Sequence, residues 1–164
     1  MFGFFDHRRQ PDIRRIGPQS AQDCAQIHAQ SFAHSWSQAD FESLLAGRDV
    51  IAEAAVAAGP WGKSRKLAGF VLSRLVVDEA EILTIAVAPR FRRRGVGSAL
   101  LATHLASLAG RGAKVLFLEV EAGNHAALAL YAQFDFHQIG ERKAYYRKAD
   151  GSSEAALMLR RDFV

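Results

Sequence analysis

At 164 residues, with 49% hydrophobic and 23% charged residues, the chain has the makeup of one soluble globular domain long enough to bury a core. Its net charge of +4 admits an anionic partner (a phosphate-bearing cofactor, nucleic acid or a ribonucleoprotein) without choosing among them. A single cysteine, Cys24, excludes an internal disulfide and a Cys-rich metal site and fits a reducing cytoplasm, and no apolar run approaches the roughly 20 residues of a membrane span.

The chain opens with "MFGFFDHRRQP", a short apolar patch with charges after it, the reverse of a signal peptide. Residues 1–11 read as a loose arm ahead of a single domain, 12–164. "DIRRI" is a short strand. Ser20 and Asp23 then have the spacing of a helix capping box, and Ile27 and Phe32 continue that helix's apolar face. Cys24 lies within this helix and reads as packing, not as a nucleophile. A second Ser-x-x-Asp pair, Ser37 and Asp40, starts "SQADFESLLAG", with Phe41, Leu44 and Leu45 on one face and Gly47 as the stop.

"VIAEAAVAA" and "KLAGFVLSRLVV" follow as strands, joined by the turn "GPWGKSR"; "AEILTIAVAP" is a third, closed by Pro89. A helix from about Gly95 to Ala109 ends at Gly110 and Gly112. Strand "KVLFLEVE", helix "NHAALALYAQF", strand "FHQIGERKAYY" and strand "EAALMLRR" complete the chain. Two early helices, a run of strands and then a β-α-β-α-β core describe a mixed α/β domain with a partly parallel centre.

"PRFRRRGVGSALL" concentrates the chemistry. A strand feeds an arginine-glycine turn that feeds a helix, which aims unpaired N–H groups and a positive helix end at an anion. Gly95 and Gly97 permit close backbone approach, and the arginines add charge-assisted bonds to phosphate. A Walker loop is absent, and the dinucleotide fingerprint fails because Leu100 stands where its third glycine belongs. Aromatic residues do not interleave with basic ones as in nucleic-acid readers. The residues alone leave three readings open: a phosphate cradle, a solvated turn or a nucleic-acid patch.

The stretch "IAVAPRFRRRGVGSALL" resembles the acetyl-CoA signature of the GNAT family of N-acetyltransferases, R/Q-x-x-G-x-G/A after a strand. "DEAEILTIAV", "LEVEAGNHAALALY", "GERKAYYRKADGSSEAALML" and "SFAHSWSQADFESLL" are similar to the bacterial ribosomal-protein-alanine N-acetyltransferases, and the resemblance runs from residue 12 to 160. It implies the GNAT fold, a central mixed sheet of six to seven strands flanked by about four helices. It also implies acetyl-CoA as co-substrate, no metal, and a protein N-terminus, such as that of a ribosomal protein, as acceptor. The cofactor's pyrophosphate would lie on Arg92, Arg93, Arg94, Gly95, Val96, Gly97 and Ser98, with its arm beside Ile85, Ala86 and Val87. Three positions depart from the family pattern. Ser35 replaces a Pro before Trp36, Glu121 replaces an Arg, and Asp135 replaces a Gly where a left-handed residue is wanted.

Acetyl transfer needs a base for the amine proton and an acid for the thiolate. Glu119, inside "VLFLEV", reads as a solvated carboxylate or as one held between apolar strands, an environment that suits a general base near neutrality. The resemblance implies the base. Tyr131 reads as a core tyrosine on the face of Leu128 and Phe134; the resemblance implies the acid that protonates the thiolate. Asn124 reads as a helix N-cap, and the resemblance adds a bond to the cofactor arm. A strand amide near Val87 would polarise the thioester carbonyl. Trp36, Tyr145 and Tyr146 are implied on the peptide side, each with a core alternative. The six histidines have no metal spacing, and His28 and His104 read as helix surface or packing. Two rival classes stay open: an acetyltransferase of small amines or lysines, and a non-catalytic module that binds CoA or ribonucleoprotein.

Overall fold

The computed structural model describes residues 11–58, 65–143 and 155–164. Its strands are β1 (Asp12–Arg15), β2 (Val50–Ala58), β3 (Arg65–Val76), β4 (Glu79–Val87), β5 (Val115–Glu121), β6 (His137–Arg142) and β7 (Ala156–Asp162). They form one seven-stranded sheet in the order β1-β2-β3-β4-β5-β7-β6. The α-helices are α1 (Ala21–Ser31), α2 (Gln38–Ala46), α3 (Val96–Gly110) and α4 (His125–Gln133). The expected mixed α/β sheet is therefore present, with β4 and β5 as its parallel pair and antiparallel pairing on either side. The expected arm, except for its last residue, and the turn at residues 59–64 lie outside the described residues.

Strand alternation splits the core in two. On β2, Ile51 and Ala55 join the cluster of α3, which includes Leu100, Leu101 and Leu108. Val50, Ala52 and Ala54 join the opposite cluster with Cys24, Ile27, Phe41 and Leu45 of α1 and α2. Both faces of β2 are covered, so the strand reads as a continuous apolar run. Cys24 is buried, and burial pushes its thiol up to about 12, which fits packing and not nucleophilic chemistry.

The two Ser-x-x-Asp signals part company. Ser37 caps α2 as expected: its Oγ accepts from Asp40 N–H at 3.1 Å, and the Asp40 carboxylate accepts from Ser37 N–H at 2.8 Å. Ser20 makes no side-chain cap. It is the last residue of a 3-10 turn, Pro18–Ser20, with φ −94° and ψ 3°, whereas a capping side chain needs extended backbone at its own residue.

Both later helices end in a left-handed residue. After α3, Gly112 (φ 90°) allows Ala113 N–H to reach the Leu108 carbonyl at 3.1 Å. After α4, Asp135 takes that position with φ 63°, and Phe136 N–H reaches the Tyr131 carbonyl at 3.2 Å. Val77, in the β3–β4 turn, has φ 59° and is 88% exposed, a conformation that a β-branched side chain disfavours. Replacing either residue with glycine relieves about 1 kcal/mol or more, a rise in Tm of about 2–4 °C per kcal/mol for a chain of this size. Thermal denaturation should rank Val77→Gly above Asp135→Gly, because aspartate tolerates the left-handed region better than valine.

Candidate active site

The parallel ladder between β4 and β5 is short: Glu79, Ala80 and Glu81 stand opposite Val115, Leu116 and Phe117. Beyond it β4 continues to Val87 beside β3, and β5 continues to Glu121 beside β7, with no further pairing between them. A bulge marks the parting, since Leu72 faces Thr84 while Ser73 faces Ile82, leaving Leu83 as the extra residue. One edge of Ile85, Ala86 and Val87 thus carries backbone groups without a strand partner, facing a gap between two leaves of the sheet. Thr84, in the same stretch, has a buried hydroxyl with no hydrogen-bond partner among the described residues.

The arginine-glycine turn follows at the end of β4. Arg93 (φ 61°) and Gly95 (φ 78°) are both left-handed, so the chain curls before α3 begins. The first bond of that helix is Ala99 N–H to the Gly95 carbonyl at 3.0 Å. The N–H groups of Val96, Gly97 and Ser98 precede it, and no side chain caps them. The N-terminus of this 15-residue helix therefore offers uncapped N–H groups with the positive end of its dipole. Arg93 and Arg94 are exposed and form no ion pair among the described residues. A Cβ on Gly97 would stand 3.4 Å from Leu130 Cδ2, ordinary contact, so the protein itself leaves room there. This set fits a diphosphate.

Arg92 is placed differently from its two neighbours. Its Nε donates to the Val87 carbonyl at 3.0 Å and its Nη2 to Ser31 Oγ at 3.1 Å. It ties the turn to the end of β4 and to the end of α1.

The groups expected to move protons are divided by burial. Tyr131 is 5% exposed, with the Phe136 ring 5.5 Å away, and burial pushes its phenol up to about 12. It stays protonated throughout the neutral range and can donate a hydrogen bond. Glu119 is not held between apolar strands, contrary to that expectation. Along β5 the residues Leu116, Leu118 and Val120 turn to the α3 core, and Glu119 falls on the other face. Its side chain is 36% exposed and accepts from Arg142 Nη2 at 3.0 Å. Asn124 is the N-cap of α4, its Oδ1 accepting from Ala127 N–H at 3.2 Å.

On the α1–α2 side, Trp36 is packed. Its indole stacks on His28 at 4.9 Å and leans on Phe41 at 5.6 Å. His28 is buried, not a surface residue. Tyr145 and Tyr146 lie outside the described residues. No group of three His, Cys, Asp or Glu side chains among the described residues is arranged to hold a metal. No helix among them is long and apolar enough to cross a membrane.

Sequence reasoning passed over Arg142 as the partner of Glu119, and also a buried network. His104 Nδ1 lies 2.8 Å from Glu53 Oε1, His104 Nε2 lies 2.6 Å from Ser73 Oγ, and Ser107 Oγ donates to Glu53 Oε2 at 3.0 Å. The signal was present: Glu53 interrupts the apolar strand "VIAEAAVAA", and His104 lies on the buried stripe of Leu100, Leu101 and Leu108. Two polar residues at core positions call for each other.

The acetyltransferase (GNAT) family model matches residues 21–136, a span that holds the gap, the turn and α4. The ribosomal protein bS18-alanine N-acetyltransferase of Escherichia coli (strain K12) is 35% identical over 136 residues, covering 82% of this chain and 87% of that one. The N-alpha-acetyltransferase RimI of Mycobacterium tuberculosis (strain ATCC 25618 / H37Rv) is 38% identical over 145 residues, covering 87% and 86%. The crystal structure of the ribosomal-protein-S18-alanine N-acetyltransferase from Escherichia coli superposes with a TM-score of 0.82 at 32% identity over 92% of each chain. A sheet that parts beside an uncapped helix N-terminus, a family match over most of the chain and relatives above 30% identity lead to one conclusion: the protein belongs to the GNAT family and is an acetyltransferase.

Proposed function

We propose that the protein transfers the acetyl group of acetyl-CoA to the free N-terminal α-amine of a protein substrate, with a ribosomal protein as the leading candidate. The observation that carries this reading is the gap between β4 and β5, which opens beside the uncapped N-terminus of α3. The N–H groups of Val96, Gly97 and Ser98, with Arg93 and Arg94, would hold the diphosphate, and Asn124 the adjoining arm. The edge of Ile85, Ala86 and Val87 that lacks a strand partner would take the rest of that arm, and a backbone N–H near Val87 would polarise the thioester carbonyl.

In the transfer the amine nitrogen forms a bond to the acetyl carbon and the carbon–sulfur bond breaks. Glu119 accepts the amine proton, and its exposure gives that proton a way out through water. Tyr131 gives its proton to the departing sulfur and regains one from water. An α-amine, with a pKa of about 8, needs only modest help to lose its proton, whereas a lysine at about 10.4 needs roughly 3 kcal/mol more. A solvent-exposed carboxylate suits the easier task. One relative is named as a ribosomal protein bS18-alanine N-acetyltransferase and the other as an N-alpha-acetyltransferase, which supports the same acceptor.

Two measurements test this reading. Acetyl-CoA at 100 times its Kd should add about 2.7 kcal/mol to thermal stability. Gly97→Glu should remove that shift and still fold, because the added carboxylate sits where the phosphates bind while the local packing tolerates a side chain. A basic peptide with free N-terminal Ala should show a higher kcat/KM than its N-blocked twin carrying an internal Lys, and than spermidine. A higher value for either of the latter two overturns the N-terminal assignment.

A further inference from the structure

The connection between α1 and α2, residues 32–37, is fastened at both ends. At its start, Ser31 Oγ donates to the Ile27 carbonyl at 3.0 Å and accepts from Arg92 at 3.1 Å. At its end, the backbone N–H of Trp36 donates to His28 Nδ1 at 3.1 Å. The imidazole and the indole are nearly parallel, 21° apart. Phe32 closes on the same imidazole at 4.4 Å, and Phe41 meets it edge-on at 5.4 Å. His28 is only 3% exposed.

A ring nitrogen that receives a backbone N–H has a lone pair there, so this imidazole is neutral and carries its proton on Nε2. Protonation would turn Nδ1 from acceptor into donor, set two N–H groups against each other and place a charge in an aromatic cage. The Trp36 anchor would then be lost. We propose that His28 is a positioning residue for the acceptor: as a neutral hydrogen-bond acceptor it fixes the loop backbone at Trp36, and acid releases the loop and weakens acceptor binding while leaving the cofactor site intact.

Burial lowers the pKa of His28 from its ordinary value, so the neutral form persists to lower pH than in the unfolded chain. The sign follows directly. The anchor is whole above the ordinary imidazole range and fails as pH falls through the lowered value. The titratable and charged groups of α1, the loop, α2 and the arginine turn nearest in the chain are Asp23 and Cys24 on α1, His34 in the loop, Asp40 and Glu42 on α2, and Arg92 of the turn, with Glu42 accepting from Gln38. Cys24 is a thiol pushed up to about 12, and the Asp40 carboxylate accepts from Ser37 N–H. Arg92 reaches Ser31, one turn further along α1.

The inference rests on the acceptor reading proposed above and on the place that the resemblance implies for Trp36 on the peptide side, so the test includes a readout that needs no acceptor. His28→Asn places an amide oxygen near the position of Nδ1 and cannot titrate. His28→Phe keeps the ring stack and loses the acceptor. The KM for the free-N-terminal peptide, the kcat and the Kd for acetyl-CoA are measured from pH 5.5 to 8.5. With the parent, KM for peptide should rise as pH falls, relative to His28→Asn measured in parallel so that the peptide's own amine titration cancels, while the Kd for acetyl-CoA stays level. His28→Phe should raise KM about tenfold even at pH 8, the equivalent of one lost hydrogen bond, with kcat little changed.

Separately, Trp36 fluorescence in a Trp61→Phe background should titrate with pH in the parent and stay flat with His28→Asn. That signal does not depend on the acceptor's identity, so it distinguishes a wrong substrate from a wrong loop. Identical acid limbs in the parent and His28→Asn, in KM or in fluorescence, overturn the proposal. Should His28→Phe fail to fold, the comparison of parent with His28→Asn still decides.

Discussion

Tyr131→Phe should lower kcat by about 10²–10⁴-fold and leave the Kd for acetyl-CoA within a factor of two. The substitution removes one oxygen from a ring that is 5% exposed and packed 5.5 Å from Phe136, so the helix and its contacts stay in place. What is lost is a phenol that burial holds at about 12 and hence fully protonated at working pH. A thiolate leaving into a buried site gains most from a donor already in position, because no solvent has to reorganise around it. The pH–rate profile of the parent should therefore show no limb assignable to Tyr131 below about pH 10. Rapid-quench kinetics separate the chemical step from product release. An unchanged chemical rate for Tyr131→Phe would return this residue to a packing role.

His104→Leu should destabilise the fold by about 3–5 kcal/mol, the range seen when a buried pair loses one member. The side chain of Glu53 is only 8% exposed, and His104 is fully buried. Without the imidazole the carboxylate keeps, among the described residues, only Ser107 Oγ at 3.0 Å, in a place that water barely reaches. At about 2–4 °C per kcal/mol for a chain of this size, the melting temperature should fall by roughly 6–20 °C. The double change Glu53→Leu with His104→Leu should recover much of that loss, since it removes the stranded charge together with its partner. Calorimetry of both variants decides. A double variant no more stable than the single would mean that lost packing, and not the stranded carboxylate, sets the effect.

The sheet was readable where local chemistry dictates it. "VIAEAAVAA" read as a strand and is β2, and of the two glycines expected to stop the helix Gly110 is its last residue and Gly112 the left-handed one after it. Asp135 was expected to be left-handed because it stands where the family pattern has a glycine, and its φ of 63° agrees. The strand, glycine turn and helix of the candidate anion site were legible because they are consecutive in the chain, yet by themselves they left a cradle, a solvated turn and a nucleic-acid patch open. Ser20 misled because the Pro18 turn before it fixes the backbone at Ser20, and the four-residue signal does not include that turn. The partners of Glu119 and Glu53 were hidden because they lie 23 and 51 residues away, across strands whose register no local pattern specifies. The contact of Trp36 with His28 spans only eight residues, yet it depends on how two helices pack.

The buried network has one more consequence. Serine, histidine and glutamate, bonded in that order at 2.6 and 2.8 Å, reproduce the catalytic triad of a serine hydrolase. Judged by interatomic distances alone, Ser73 would pass for an activated nucleophile. It sits at 0% exposure between β2, β3 and α3, where no ester or amide carbonyl can approach it. Access, not arrangement, separates a relay from a bolt. Here the three side chains bolt α3 to the sheet at the bulge beside Leu72 and Ser73 that accompanies the parting of β4 from β5. The same imidazole that would draw a proton from a serine in a hydrolase holds the helix with the uncapped N-terminus at a fixed height over the sheet.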